Sequence, residues 1–409
     1  MRTILTSALA TSCLLTLLAT SACSEQGGGS AQGNASQAGK PVMQQRFHDQ
    51  AATQLQAEGQ VVDGLRDGPW KFFYPDGTKQ AEGSFRFDLE EGDWEEWWPD
   101  GTLKRAGRYE QGRGVGRWKY WHDNGQLFSE GDMQAGARVG HWVQFHEDGS
   151  KLSEGDFADG AETGIWTWWH AGGVQIESRG EFAAGKRVGR WVYYHADGSK
   201  RGEGDYVGGL RSGVWTSWHP GGEQVSTIGE FVEDKRVGTW VSYHPDGKKS
   251  EELTWSQGLQ EGPFVQWHEN GQMRVQGSFS RGKRSGAWTR WRADGSKLDE
   301  GAFADDLQTG LWRTWHENGQ LLNEGEYVAG KRTGPWKAWF KDGKLQSEGS
   351  FVDDLQDGQW TIWHPNGEKQ AQGLMKASLM EGQWQAWNDD GTPDLAQSGT
   401  YRQGAKVEQ

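Results

Sequence analysis

The stretch GKRTGPWKAWFKDGKLQSEGSF, residues 330–351, decides the fold because it recurs along the chain. Close copies start at Gly282, GKRSGAWTRWRADGSKLDEGAF, and at Gly185, GKRVGRWVYYHADGSKRGEGDY. Aligned on the first aromatic residue, which we call the lead aromatic, the units repeat every 24 residues with two steps of 25. The lead aromatics are Trp70, Trp94, Trp118, Trp142, Trp166, Trp191, Trp215, Trp240, Phe264, Trp288, Trp312, Trp336, Trp360 and Trp384. Fourteen tandem units with a fixed period predict a repeat architecture.

Each unit has the pattern of a β-hairpin. A glycine stands two residues before the lead aromatic and a second aromatic three residues after it; seven residues after it stands another glycine, usually preceded by Asp or Asn, as in Asp246-Gly247. Two short β-rich runs around Asp-Gly or Asn-Gly are a strong hairpin signal, because these residues tolerate positive φ. The second run carries Glu-Gly-x-Phe/Tyr, as in residues 324–327.

The hairpins are predicted to pair edge to edge, because a single hairpin is only marginally stable in water. The expected fold class is all-β, an elongated single-layer antiparallel sheet of about fourteen tandem 24-residue hairpin repeats. At about 4.8 Å per strand it would extend roughly 130 Å before twist. The chain has 62 glycines and 26 tryptophans but few aliphatic residues. The core is therefore predicted to consist of aromatic rings that stack from unit to unit, with glycines as their flat neighbours.

The turn type stays open. Proline precedes the turn pair in five units, which suits a type I turn with a glycine bulge, whereas Asp-Gly suits a two-residue type I′ turn. The two differ by one residue of register, which decides whether the lead Trp lies across from Gly or Glu. The 25-residue steps carry their extra residue after the turn, in GGVQIESRGEF and GGEQVSTIGEF, where we expect β-bulges.

The N-terminus, MRTILTSALATSCLLTLLATSACSEQ, reads as an export signal. Residues 20–23, Thr-Ser-Ala-Cys, resemble the lipobox of bacterial lipoproteins, although Leu is usual where Thr20 stands. The resemblance implies a signal peptide over residues 1–22 and lipidation of Cys23. Ser24, which is not an aspartate, then favours the outer membrane, facing the periplasm or the surface. The alternatives are simple secretion and an anchor retained after cleavage before Cys13.

Composition divides the rest of the chain and limits its partners. Residues 23–55, rich in Gly, Ser and Gln, are expected to form a lipidated flexible tether, followed by the repeat domain over residues 56–404 and a tail over residues 405–409. The only cysteines are Cys13 and Cys23, so the repeats have neither a disulfide nor a cysteine metal site. A net charge of −14 without a basic stripe argues against nucleic acid as a partner.

Nine histidines follow the second aromatic of their units: His122, His146, His170, His195, His219, His244, His268, His316 and His364. Equivalent positions in neighbouring hairpins lie roughly 10 Å apart, two strands away. Since zinc needs ligands at about 2.0–2.1 Å, two neighbours cannot share one ion. Stacking and turn capping are the favoured interpretation, ahead of a pH-sensitive surface and of metal binding, and no cofactor is predicted.

Two periodic features are candidate binding surfaces. The first is the face carrying the tryptophans three residues after the lead aromatic, which alternation places opposite the lead rings: Trp97, Trp121, Trp169, Trp218, Trp267, Trp291, Trp315, Trp339 and Trp363. Such a face would grip glycan rings or a protein. The second is the edge formed by the links between units, where basic links alternate with polar or acidic ones; the basic residues are Lys235, Arg236, Lys283, Arg284, Lys331 and Arg332. Alternation removes like-charge repulsion, and it also offers a patterned edge to a partner.

No catalytic motif is visible in the sequence. There is no nucleophile elbow, phosphate loop or metal triad, and residues 112–116 are a glycine-rich link without a strand-to-helix context. The clearest breaks in the repeat are Phe264, EELTWSQ over residues 251–257, and LMKASLMEG over residues 374–382, where a terminal cap is expected to begin. We therefore expect a protein that is not an enzyme.

The unit G-x-W-x-x-W-H-x-D/N-G-x-x-x-x-E-G-x-F/Y, from about Glu58 to about Gly404, resembles the MORN-repeat variant of bacterial proteins, often labelled YwqK-like antitoxins. The resemblance implies a scaffold for protein contact or lipid attachment, here a lipoprotein of the cell envelope. Its partner would be a protein, and a toxin if the antitoxin label applies. The alternative function is a glycan- or peptidoglycan-binding module. The export signal departs from a simple cytoplasmic antitoxin.

Overall fold

The computed structural model describes residues 39–407 and contains only β-strands and their connections in that range. The predicted signal peptide of residues 1–22, the predicted lipidation site Cys23 and most of the predicted tether lie outside the described residues. Among the described residues, none forms a helix long and apolar enough to cross a membrane. The all-β prediction is confirmed: the strands form one long, open antiparallel sheet.

The strands are β1 Val42–Phe47, β2 Leu55–Val62, β3 Leu65–Phe73, β4 Lys79–Arg86, β5 Leu89–Trp97, β6 Leu103–Glu110, β7 Arg113–Trp121, β8 Leu127–Gln134, β9 Ala137–Phe145, β10 Lys151–Ala158, β11 Ala161–Trp169, β12 Ile176–Ala183, β13 Lys186–Tyr194, β14 Lys200–Val207, β15 Leu210–Trp218, β16 Val225–Val232, β17 Lys235–Tyr243, β18 Lys249–Ser256, β19 Leu259–Trp267, β20 Met273–Ser280, β21 Lys283–Trp291, β22 Lys297–Ala304, β23 Leu307–Trp315, β24 Leu321–Val328, β25 Lys331–Trp339, β26 Leu345–Val352, β27 Leu355–Gln356, β28 Gly358–Trp363, β29 Lys369–Lys376, β30 Leu379–Ala386, β31 Gly399–Arg402 and β32 Ala405–Lys406. Each strand pairs antiparallel with the next one in the chain, except that β27 and β28 both pair with β26 and not with each other.

The Asp-Gly and Asn-Gly turns are type I turns followed by a glycine bulge. In the first hairpin the N–H of Gly77 donates to the carbonyl of Tyr74 at 2.9 Å, and the N–H of Tyr74 donates to the carbonyl of Thr78 at 2.9 Å. Gly77 has φ +87°, while Asp76 keeps a negative φ and accepts the N–H of Thr78 at 2.9 Å. This settles the register: Trp70 lies opposite Gly83.

The links between units, which we call link turns, are two-residue hairpin turns in which both residues have positive φ, the requirement of type I′. Between β4 and β5, for example, Phe87 has φ +50° and Asp88 has φ +66°. The second residue of the link turn is Gly in most units and Asp in four. Both ends of each regular hairpin are therefore closed by short turns, and the chain runs as one meander.

The two 25-residue steps differ from the expectation. The extra residue enlarges the turn and does not add a bulge to the strand. His170 N–H donates to the carbonyl of Gln175 across a four-residue loop, whereas His146 N–H donates to Ser150 across three residues. Gly172 and Gly173 take positive φ in that loop. A loop at the sheet margin takes an insertion without moving the ring positions, which a bulge would displace.

The core is a row of indoles lying on glycines of the preceding unit. In thirteen units the glycine eleven residues before the lead Trp lies against its ring: an added Cβ would come within 2.1–2.3 Å of the indole. Twelve of the thirteen lead tryptophans donate their ring N–H to a main-chain carbonyl ten residues earlier, at 2.8–3.2 Å. The expected role of these glycines as flat neighbours is confirmed.

The lead rings do not stack face to face along the sheet. Most lead rings meet an aromatic ring of a second strand edge-on, as Phe85 meets Trp94 at 5.0 Å and 84° and Tyr109 meets Trp118 at 4.9 Å and 86°. Edge-to-face contact is the arrangement favoured by the ring quadrupole. In several units the lead ring also stacks on the aromatic ring two residues later, as Trp166 does on Trp168 at 5.5 Å and 27°. The core thus combines edge-to-face and stacked ring contacts.

One unit lacks the glycine that lies against the lead ring. Leu253 takes the place of the glycine, and the lead residue that lies directly across from it is Phe264. Both side chains are buried, at 3% and 7% exposure. A leucine leaves no room for an indole, and the smaller phenyl ring fits. The chain of ring contacts is interrupted here, between Trp240 and Phe264.

The two ends differ from the expected boundaries. Strand β1 lies within the segment assigned to the tether and pairs with β2 from Val42 to Phe47, because its residues can extend the sheet by one strand. Residues 374–382 keep the regular hairpin geometry in β29 and β30. The pattern ends only after Trp387, where a loop replaces the regular second strand and β31 follows.

Candidate binding surface

The nine tryptophans three residues after the lead aromatic lie half-buried on the sheet. Five of them are covered by a lysine ammonium of the preceding unit, with Lys79 Nζ 4.6 Å from the Trp97 ring centroid and Lys151 Nζ 4.9 Å from that of Trp169. The same contact joins Lys200 to Trp218, Lys249 to Trp267 and Lys297 to Trp315. These five rings are therefore engaged within the chain by cation–π contacts.

The covering lysines are fixed by a second partner. Each one donates to a glutamate three residues later on the same strand, as Lys79 does to Glu82 at 2.6 Å and Lys200 does to Glu203 at 2.9 Å. In front of Trp121, Trp291, Trp339 and Trp363 the equivalent positions hold Leu103, Met273, Leu321 and Leu345. This face consequently combines five lysine-covered rings with four whose equivalent position is apolar.

The histidine column ties one unit to the next. The Nε2 atoms of eight of the nine histidines lie 2.8–3.3 Å from the main-chain carbonyl of the aromatic three residues after the next lead residue. For His244 the acceptor is Trp267, at 3.2 Å. The Nε2 of His146 is buried without a partner. No three His, Cys, Asp or Glu residues within residues 39–407 converge on a site for a metal ion.

Seven arginines directly follow the first residue after a link turn, and we call them the link arginines. They are Arg66, Arg138, Arg187, Arg211, Arg236, Arg284 and Arg332. All seven place the guanidinium over aromatic rings of the core. They fall into two classes according to the residue that faces them in the next link turn.

In the first class the facing residue is aspartate. Asp306 accepts the main-chain N–H of Arg284 at 2.9 Å and its Nε–H at 3.0 Å. The other members of this class are Arg66–Asp88, Arg211–Asp234 and Arg332–Asp354. The main-chain N–H of Arg284, followed by its guanidinium, lowers the pKa of the Asp306 carboxyl below its ordinary value.

The lysines of these links are also paired. Lys283 Nζ lies 3.8 Å from Asp305, and Lys331 Nζ lies 3.5 Å from Asp353. The alternating links therefore contain ion pairs from each basic turn to the next acidic turn. Of the six candidate link residues, only Lys235 and Arg236 have no carboxylate at ion-pair distance in the described part of the chain.

In the second class the facing residue is glycine. Arg138, Arg187 and Arg236 face Gly160, Gly209 and Gly258, and no carboxylate of residues 39–407 lies at ion-pair distance from them. Their guanidinium groups shift onto the lead indole, at 4.5, 4.5 and 4.3 Å from its centroid. In the first class the guanidinium lies instead 3.7–4.0 Å from the phenyl ring of the second strand. Sequence reasoning missed this distinction, although Asp or Gly in the next link turn signals it.

A groove of about 610 Å³ opens on the core face beside the Leu253–Phe264 unit. Gln266 and Arg290 line it, two residues after their lead aromatics, where some earlier units carry large rings such as Tyr120 and Trp168. Phe279, Trp288, Phe303 and Trp312 contribute apolar lining, and the ion pairs Arg290–Asp299 and Arg284–Asp306 contribute polar lining. The groove thus combines aromatic surface with charges that cancel.

Comparison with known proteins identifies the repeat. The family described as the MORN repeat variant matches seven segments, residues 66–86, 90–111, 115–135, 236–257, 260–280, 308–329 and 332–353. These seven segments therefore match MORN-variant repeats, as the resemblance implied, and the unmatched units share the same strand register. No curated protein gives a significant match to the sequence.

Two solved structures align with most of this chain. A crystal structure of TcdB2-TccC3 without its hypervariable C-terminal region is 9% identical with a TM-score of 0.15, covering 86% of this chain and 22% of that one. A crystal structure of TcdB2-TccC3-Cdc42 is 10% identical with a TM-score of 0.14, covering 89% and 23%. The chain thus spans less than a quarter of the length of these structures, and likenesses of this size carry no argument here.

Proposed function

We propose that this protein is a non-enzymatic repeat scaffold of the bacterial cell envelope that binds a protein partner. In the narrower form of the proposal the partner is a toxin and the chain is an immunity protein of the antitoxin type. Lipidation of Cys23 would hold the scaffold at the outer membrane, in the periplasm or at the surface. MORN-variant repeats in seven segments support the scaffold role.

The observation that carries the proposal is the division of labour within each unit. The rings and glycines of one face are used to hold neighbouring units together, with most lead rings less than a tenth exposed. The link edge, in contrast, presents exposed lysines and mostly half-buried arginines at a regular spacing. A periodic charged edge on a rigid sheet suits recognition of a macromolecule and offers no enclosed site for chemistry.

A glycan-binding function is the second candidate, and the 610 Å³ groove favours it. Its size lies within the range of about 300–1,000 Å³ usual for ligand sites. Because its arginines and aspartates are paired with one another, an uncharged ligand with polar edges would suit it better than an ion. Peptidoglycan or a surface polysaccharide would supply such a ligand.

In-cell crosslinking of the full-length protein, followed by mass spectrometry, tests the proposal together with sedimentation on purified peptidoglycan. The expected result is a specific crosslinked protein that the wild-type chain retains after peptidoglycan is digested. Retention on peptidoglycan with no protein attached would overturn the scaffold proposal in favour of the glycan function. A Cys23→Ser variant, which should lose incorporation of a labelled fatty acid, tests the anchor separately.

A further inference from the structure

Four of the link arginines bind a carboxylate of the next link turn, and the other three have the same position without a carboxylate. Where the next link turn carries aspartate, the carboxylate accepts one main-chain N–H and the guanidinium Nε–H, at 3.0 and 3.0 Å in Arg332–Asp354 and at 3.1 and 2.7 Å in Arg211–Asp234. The aspartates adopt φ of +65° to +69°, and the glycines that replace them take +82° to +93°. In both classes this residue thus lies in the left-handed region of backbone conformation.

We propose that Arg138, Arg187 and Arg236 receive carboxylates from an acidic segment of a protein partner, an inference that rests on the protein-binding function proposed above. The partner carboxylate takes the place that Asp306 occupies beside Arg284. It completes an arrangement that the chain itself shows to be a stable carboxylate receptor, in which a charged acceptor meets donors fixed in direction.

The three sites have room for this group. A Cβ placed on Gly258 would meet nothing nearer than Lys235 at 3.7 Å, and on Gly160 and Gly209 nothing nearer than 3.8 Å. Stacking on the lead indole holds each guanidinium beside the site, so binding requires only its shift toward the ring of the second strand, the position seen in the first class. The exposed Lys186 and Lys235, which directly precede Arg187 and Arg236, add positive charge nearby.

The spacing favours a polypeptide over a nucleic acid. The sites recur every 49 residues, which is two units or four strands, so they lie about 19 Å apart. An extended peptide rises about 3.4 Å per residue, so carboxylates about six residues apart match this interval. A nucleic acid carries a far denser line of negative charge, which a chain of net charge −14 repels between the sites.

The test is calorimetric titration of the full-length protein with a synthetic peptide carrying three Glu-Glu pairs separated by Gly/Ser spacers of four residues. Arg138→Gln/Arg187→Gln/Arg236→Gln should weaken binding at least about 10-fold, because the loss of a charge-assisted hydrogen bond alone accounts for a factor of that order. Binding should also change tryptophan fluorescence, because the guanidinium groups leave the lead indoles.

A second variant fills the sites while keeping the arginines. Gly160→Asp/Gly209→Asp/Gly258→Asp supplies the carboxylates from within the chain and should weaken binding as strongly as the arginine variant. Its charge-matched control is Gly77→Asp/Gly125→Asp/Gly319→Asp, at turn glycines of positive φ with open space around them. The control should bind within about 2-fold of wild type, because added charge far from the sites is largely screened at physiological salt.

The opposite substitution, from aspartate to glycine in a link turn, should create an additional binding site for the peptide. Asp306→Gly removes the internal carboxylate from Arg284 and should tighten peptide binding a few-fold. The proposal of a partner carboxylate would be wrong if the arginine variant bound the peptide as tightly as wild type, or if the control lost as much affinity as the filled variant. It would also be wrong if an RNA oligonucleotide bound more tightly than the peptide. If the crosslinked partner attaches equally to wild type and to the arginine variant, the carboxylate sites are rejected but the proposed scaffold function is retained.

Discussion

Thirteen units place an indole on a glycine, and one unit places a phenyl ring on a leucine. The two arrangements fill similar space, since Trp240 and Phe264 are each 7% exposed and Leu253 is 3% exposed. What differs is the polar contact: Trp240 donates its ring N–H to the carbonyl of Glu230 at 3.1 Å, and Phe264 has no such donor. The comparison teaches that ring and glycine behave as one coupled pair, because core volume must be conserved.

The largest effect should come from removing a ring. Trp240→Ala should reduce the free energy of unfolding by about 3–5 kcal/mol, and Phe264→Ala by about 1 kcal/mol less, because the phenyl ring makes no hydrogen bond. The matched burial of the two rings makes them controls for each other. Hydrogen exchange of the flanking strands measures the loss locally, and a greater loss at Phe264 would contradict the role given to the indole N–H.

Placing leucine under an indole should cost somewhat less. Gly180 lies against Trp191, which is fully buried, and an added Cβ would come within 2.2 Å of the ring. Gly180→Leu should destabilise by about 1–3 kcal/mol through overpacking. Adding Trp191→Phe should restore at least half of that loss, since the double variant copies Leu253–Phe264. A double-mutant cycle measures the coupling; strictly additive losses would refute the paired exchange.

The histidine tie should contribute less again. His244→Ala removes the hydrogen bond to the carbonyl of Trp267 and should cost about 1 kcal/mol, the usual net value of such a bond. His146→Ala is the matched control, because its Nε2 has no partner to lose. Thermal unfolding followed by circular dichroism compares the two; equal losses would show that the imidazoles act by packing alone.

Acid should have the smallest effect at any single link. The folded-state pKa of Asp306 and of Asp354 is lowered by the main-chain N–H and guanidinium of the facing arginine. The stabilisation is therefore complete above the unfolded pKa of about 3.9 and is lost as the pH falls below it, through the lower folded values. Asp306→Asn/Asp354→Asn should flatten the fall in melting temperature below pH 4. An unchanged slope would remove these carboxylates from the acid response.

The repeat period was enough to predict the sheet, because glycine, aromatic and turn residues recur at offsets that only a hairpin meander accommodates. The turn type was not predictable, since Asp-Gly suits two turns and the choice depends on strand twist over the whole unit. Edge-to-face ring contacts were also missed: residue spacing gives the order of the rings but not the angle between them. Leu253 and Phe264 were both visible as breaks in the sequence.

The candidate surface was predicted in part. The sequence identified the tryptophan row and the basic links but not which of them the chain itself occupies. Lys79 covers Trp97 from the preceding unit, and Asp306 neutralises Arg284 from the following one. These contacts join residues about 18 and 22 positions apart. They lie on strands whose register depends on the turn type, which the sequence alone left open. Once the register is known, Arg236 stands apart by the glycine that faces it.

The ion pairs between link turns restrict how the number of repeats can change during evolution. From residue 284 to residue 354 each basic turn is followed by an acidic one, and the arrangement recurs after 48 residues. Duplicating or deleting one hairpin there would set two turns of equal charge side by side, whereas a change of two hairpins preserves the order. In this segment we expect hairpins to be gained or lost two at a time during evolution. The unit of duplication would then be a pair of hairpins.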